Sequence, residues 1–117
     1  MKRLDIEVRS EPGPAKSTLE AAARRLGYRV RQPGDAGPRA GLLLIDARGD
    51  ASPSEAALAC DLRPTLIVAE SADVDLCDSV RAHGHVIVII NPRSLGAALR
   101  VGLASCEMIE GRHVAAA

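Results

Sequence analysis

Three aliphatic runs constrain this chain more than anything else in it: Gly41-Leu-Leu-Leu-Ile45, Thr65 to Ala69 and Val86 to Ile90. Each has the length of one strand, and none alternates with polar residues. A strand with one wet face alternates. A solid apolar run is expected of a strand covered on both faces, as in a parallel sheet sandwiched by helices. The segments between the runs carry helix signals. Ser52-Pro53 with Glu55 opens a helix of small residues to about Leu62. Ala72 to His83 reads as an amphipathic helix ended by Gly84. Ser94 begins a helix through Leu95, Leu99 and Leu103 towards Met108.

The chain before these runs reads differently. Leu4, Ile6 and Val8 alternate with Asp5, Glu7 and Arg9, which predicts a first strand with one buried face. Glu11-Pro-Gly-Pro14 stops it. Ser17 with Glu20 forms a capping-box pattern, and Leu19, Ala22, Ala23 and Leu26 follow at helical spacing. Gly27 is placed to end that helix, and Tyr28 and Val30 open a short second strand. Asp46 then comes sixteen residues after Val30. A parallel crossover normally takes a dozen or more residues with its helix. Gln32-Pro-Gly-Asp-Ala-Gly-Pro38 is turn-rich, so the helix of this connection is expected to be missing or reduced. The whole is an α/β chain with a doubly wound parallel sheet. Its domain is expected over 1–108, with 109–117 as a C-terminal extension or linker.

Composition narrows the function. The 117 residues carry 15 basic and 15 acidic side chains, a formal net charge of zero. Binding through nucleic-acid phosphates calls for a basic excess, so no nucleic-acid partner is expected. Tyr28 is the only aromatic residue, too few for a base-stacking platform. Cys60, Cys77 and Cys106 show no metal-like spacing and read as small buried hydrophobes in a reducing compartment. His83 and His85 flank Gly84 without an evident third ligand, so neither a metal nor another cofactor is expected. No run approaches the roughly 20 apolar residues that span a bilayer, and no signal peptide is visible. Membrane insertion is not expected, and the expected location is the cytoplasm. Gly13, Lys16 and Ser17 lack the spacing of a phosphate-binding loop, and no nucleophile–base pair is evident.

In parallel sheets, functional groups gather at the carboxyl ends of the strands. Here those ends carry Ser10-Glu11, Asp46, Glu70-Ser71 and Asn91-Pro92. The order of these segments resembles the receiver domain of bacterial response regulators, over about residues 4 to 108. Leu42-Leu-Leu-Ile-Asp46 resembles the strand that delivers the phosphorylated aspartate. Leu26-Gly-Tyr-Arg-Val30 is similar to the family's join of first helix and second strand. Val80-Arg-Ala-His-Gly-His-Val-Ile-Val-Ile-Ile-Asn-Pro92 is similar to its helix–Gly–strand–Lys-Pro segment. The resemblance implies five parallel strands in the flavodoxin-like order 2-1-3-4-5.

The departures from that family are as informative. The resemblance implies an acidic pair after the first strand to hold a divalent cation; this chain offers only Glu11. It implies a Ser or Thr after the fourth strand; the aligned residue is Glu70, or Ser71 after a one-residue shift. It implies a Lys before the last-strand Pro; Asn91 stands before Pro92. Asp46 alone survives from the phosphorylation set. It reads either as a phosphoacceptor or as a strand-end carboxylate paired with Arg48. The expectation is a pseudo-receiver: a non-enzymatic regulatory domain of a hybrid histidine kinase or atypical response regulator. Its partners would be other domains of the same signalling polypeptide, and a cyclic dinucleotide such as cyclic di-GMP would gate the docking. The alternative is a phosphoaccepting receiver using Asp46. Arg81, Arg93 and Arg100, beside the last strand, are the candidate contacts for partner or ligand. Arg31 and Asp35 form a weaker candidate, with one residue too many for an Arg-x-x-Asp motif.

Overall fold

The structure, a computed structural model, describes residues 5–11, 13–32, 37, 40–48, 63–71 and 85–116, and side chains as far as 109. The predicted helices at 52–62 and 72–83 lie outside the described residues, as do Asp35, Arg81, His83, Cys60 and Cys77. The described elements are β1 (Asp5–Arg9), α1 (Pro14–Arg25), β2 (Arg29–Arg31), β3 (Leu42–Ala47), β4 (Thr65–Ala69), β5 (Val86–Ile90) and α2 (Leu95–Ala116). All five strands run parallel in one sheet, in the order β2-β1-β3-β4-β5. This is the expected flavodoxin-like order.

Both faces of the central strands are closed to water. On one face Ile6, Val8, Leu42, Leu44, Leu66 and Val68 pack with Leu19 and Ala23 of α1, with Tyr28, and with Leu99, Leu103 and Cys106 of α2. On the other, Leu43, Ile45, Ala47, Ile67, Ala69 and Val86 form a second buried cluster. That two-sided burial is why β3 and β4 read as unbroken apolar runs. β1 differs. Ile6 and Val8 are buried, whereas Asp5, Glu7 and Arg9 are only partly covered on the opposite face. The polar alternation in the sequence marks this change.

Local signals decide the ends of α1. Its N-cap is Gly13, with Pro14 in the first turn and no side-chain cap. Ser17 is therefore inside the helix, its N–H donating to the Gly13 carbonyl at 3.2 Å, and the expected capping box does not form. Proline suits the first turn, because its fixed φ is helical and its missing N–H has no partner to lose there. The helix thus starts one turn earlier than the Ser17 reading. Its C-terminus follows the sequence. Gly27 takes φ +96°. Its N–H donates to the Arg24 carbonyl at 3.0 Å and that of Tyr28 to the Ala23 carbonyl at 3.2 Å. This is a Schellman ending, with Tyr28 folded onto Ala23 in the core.

Two further features place α2. The Ser94 hydroxyl accepts a hydrogen bond from the Ala97 N–H at 3.2 Å, capping the helix where predicted. Gly102 lets the helix descend onto β4: a Cβ there would stand 2.6 Å from Leu66 Cδ1. The helix runs from Leu95 to Ala116. In the β2–β3 connection, the described residues Gln32, Gly37, Ala40 and Gly41 are not helical.

Candidate functional site at the carboxyl end of the sheet

Parallel pairing brings the carboxyl ends of β1, β3, β4 and β5 to one edge of the sheet. Asp46 lies within β3, opposite Val68, with one more residue of strand after it. Its side chain is 8% exposed, and its carboxylate is fully engaged. Arg48 approaches as a fork, Nε donating to Oδ1 at 2.9 Å and Nη2 to Oδ2 at 3.1 Å. The Arg48 backbone N–H adds a third bond to Oδ1 at 3.0 Å. The Ser10 hydroxyl, from the end of β1, reaches Oδ2 at 3.4 Å. A two-pronged guanidinium–carboxylate contact fixes both partners in plane and is among the stronger charge-assisted arrangements.

The electrostatics follow. Burial works to raise the Asp46 pKa, but the hydrogen bonds and charge of Arg48, with help from Ser10, outweigh it and hold the group below its ordinary value. The same bonds raise the Arg48 pKa, against a smaller opposing effect of burial, and Glu70 adds a weaker attraction. Asp46 is therefore a carboxylate whose negative charge is already matched by a cation of its own chain, two residues away.

The other described strand-end residues are largely exposed. Glu11 is exposed, and its backbone carbonyl accepts from Ser10 at 3.3 Å. Glu70 and Ser71 are exposed beyond β4. Asn91 takes φ +49°, a left-handed conformation that Asn tolerates, and its N–H donates to the Ala69 carbonyl at 2.7 Å. Asn91 supplies the turn out of β5 that leads to Pro92; it supplies no cation. Among the described residues no group of His, Cys, Asp and Glu is arranged to hold a metal ion.

The basic candidates separate into two kinds. Arg93 and Arg100 are exposed. Arg93 precedes the Ser94 cap of α2, so it lies outside the helix that carries Arg100. Ile90, at the end of β5, is 40% exposed. Arg31 is engaged elsewhere, with Nη1 3.5 Å from Asp5 Oδ2.

Arg31 belongs to a charged layer that sequence reading missed. Asp5 stands opposite Arg29 in the ladder, and Glu7 opposite Arg31. Arg29 binds Asp5 through two nitrogens, at 3.1 and 2.8 Å. Arg9 Nε lies 2.7 Å from Glu7 Oε2, and Arg63 Nη1 3.1 Å from Glu7 Oε1. Arg63 is 6% exposed and also donates to the Ala40 carbonyl at 3.4 Å. The i, i+2 charge alternation of β1 was the available signal. Arg63 carried none, since nothing local ties it to Glu7.

No family model matches the chain, and no curated protein matches it significantly.

Proposed function

We propose that this chain is a pseudo-receiver: a non-enzymatic regulatory domain of a bacterial two-component signalling protein, either a hybrid histidine kinase or an atypical response regulator. One observation carries the reading. In a sheet of flavodoxin-like order, the carboxylate at the phosphoacceptor position is held by Arg48 in a part-buried, two-pronged ion pair. Phosphorylation there would require breaking that pair and placing a dianionic group in its stead. Among the described residues no group of three or more His, Cys, Asp and Glu side chains is arranged to hold the cation that this step needs. The fold persists while the chemistry is lost, and what remains is a surface.

That surface is the side of the sheet formed by β5 and the start of α2, with Ile90, Arg93 and Arg100 exposed on it. Arginines beside aliphatic residues suit a partner's carboxylates, or the phosphates and guanines of a cyclic dinucleotide such as cyclic di-GMP. In this reading the domain docks on other domains of its own signalling polypeptide, in the cytoplasm, and the nucleotide biases the docking.

Two experiments test it. Incubation with a small-molecule phosphodonor and magnesium should leave the intact mass unchanged. Rapid addition of one phosphoryl group, abolished in Asp46→Asn, would overturn the reading in favour of an active phosphoacceptor. Amide NMR with cyclic di-GMP should shift resonances of Ile90, Arg93, Arg100 and the rest of β5. An unchanged spectrum at saturating excess would remove the nucleotide and leave docking alone.

A further inference from the structure

The side of α2 that faces away from the sheet is apolar as well. Ala98, Leu99, Leu103 and Cys106 are buried against the core. Ala97, Val101, Ala104 and Met108 are all exposed, Val101 at 64% and Met108 at 62%. Their spacing of four, three and four residues puts them on one outward stripe. From Leu95 to Ile109 the only charged residues are Arg100 and Glu107. Ser105 does not make the surface more polar, because its hydroxyl donates back to the Val101 carbonyl at 2.9 Å. A helix that lays one face on a sheet ordinarily turns charges to water on the other. An apolar outer stripe of this kind marks a contact surface.

The two charges indicate what fits it. Arg100 and Glu107 are seven residues apart, two helical turns, so they share one flank of the stripe. When two helices pair antiparallel, like flanks adjoin. With a two-fold axis beside Ala104, Arg100 of one copy comes level with Glu107 of the other, and the contact occurs twice by symmetry. Ala104, the small residue at the crossing, permits close approach, while Val101 of each copy packs towards Met108 of its mate. Glu107 has an interaction within its own chain; a carboxylate accepts more than one donor. A parallel pair would instead set the two Arg100–Glu107 flanks on opposite sides of the contact, where neither charge meets its complement.

We propose that this chain self-associates through the Ala97–Val101–Ala104–Met108 stripe of α2 as a symmetric antiparallel pair, with Arg100 and Glu107 matched across the axis. The proposal does not rest on the pseudo-receiver reading, and Arg100 would face the second copy in the paired state.

The test is sedimentation velocity of the whole chain over a wide concentration range. The expected result is a reversible monomer–dimer equilibrium. Val101→Asp, an exposed position in the monomer, should raise the dissociation constant about 100-fold by burying a carboxylate in the stripe. Arg100→Glu should raise it about tenfold, and Arg100→Glu combined with Glu107→Arg should restore it. In a Cys60→Ala, Cys77→Ala background, mild oxidation of Ala104→Cys should give a covalent dimer that the same background with Ala104 and the buried Cys106 does not. Three results would overturn the proposal: a monomer at every concentration, a dimer indifferent to Val101→Asp, or a charge-reversed double variant no better than Arg100→Glu.

Discussion

Asp46 and Glu7 are both strand carboxylates held by arginine, and the way each is held differs. Asp46 is bound by Arg48, two residues along the chain, through side chain and backbone together. Glu7 is shared between a local residue, Arg9, and Arg63, which is 56 residues away in sequence. Arg48 is 30% exposed, whereas Arg63 is 6% exposed. The first pair can loosen and let water in at a sheet edge. The second is a tie between β1 and the entry to β4, and its guanidinium has no easy route to solvent. The comparison teaches that the more conspicuous site in the sequence is the less structural of the two. Asp46 matters for what it blocks, and Glu7 for what it joins.

The largest effect should come from breaking the long-range tie. Glu7→Ala removes a carboxylate from a buried guanidinium and should cost about 3 kcal/mol of unfolding free energy. Chemical denaturation measures this; a loss below that of the Asp46 pair would break the comparison. Arg48→Ala is the counterpart. It should cost only about 1 kcal/mol, because the Asp46 carboxylate is left at an edge where water and Ser10 can serve it. The same variant should let the Asp46 pKa rise, which a carboxyl NMR titration would follow. A titration unchanged by Arg48→Ala would mean that Arg48 does not hold this carboxylate.

Acid should weaken both centres. For Glu7, burial alone would raise the pKa; Arg9 and Arg63 outweigh it and the group sits below its ordinary value. Asp46 is likewise lowered. A carboxyl group whose folded pKa is depressed contributes stability above its unfolded pKa and loses it as pH falls through the folded value. Stability should therefore hold at neutral pH and decline once pH drops below the ordinary carboxylate range. Arg48→Ala should show a shallower decline, as one of the depressed groups is then relieved. The smallest effect belongs to the outermost pair. Arg29 is 70% exposed beside Asp5, and Arg29→Ala should change stability by only about 0.3 kcal/mol, with the difference vanishing in high salt.

Much of the fold was legible because its causes are local or periodic. The solid runs at Leu42–Ile45, Thr65–Ala69 and Val86–Ile90 announced strands, and β4 and β5 begin and end where those runs do; the two-sided cover they implied holds for β3 and β4, whereas β5, at the sheet edge, is only partly covered. Gly27 and Ser94 ended and began helices as their backbone chemistry requires. The capping box at Ser17 misled because two start signals competed within four residues, and Pro14 stood first. At the strand ends, the pairing of Asp46 with Arg48 was foreseeable from a separation of two residues. The role of Asn91 was foreseeable only as a missing charge; its positive φ shows that the position serves a turn.

Local order in the chain already specifies which segments become strands, that one face of β1 stays polar, and that Asp46 has a cation within reach. Those outcomes depend on backbone geometry and on side chains a few residues apart, and both are written in local order. Only the tertiary structure decided that Arg63 would close on Glu7, that Gly102 would bring α2 down onto Leu66, and that Val101 and Met108 would be left facing water. A helix that is apolar nearly all round carries no mark of which face meets the sheet. That choice is made by packing, where the one stripe small enough at Gly102 to approach β4 is buried and its opposite is left outside.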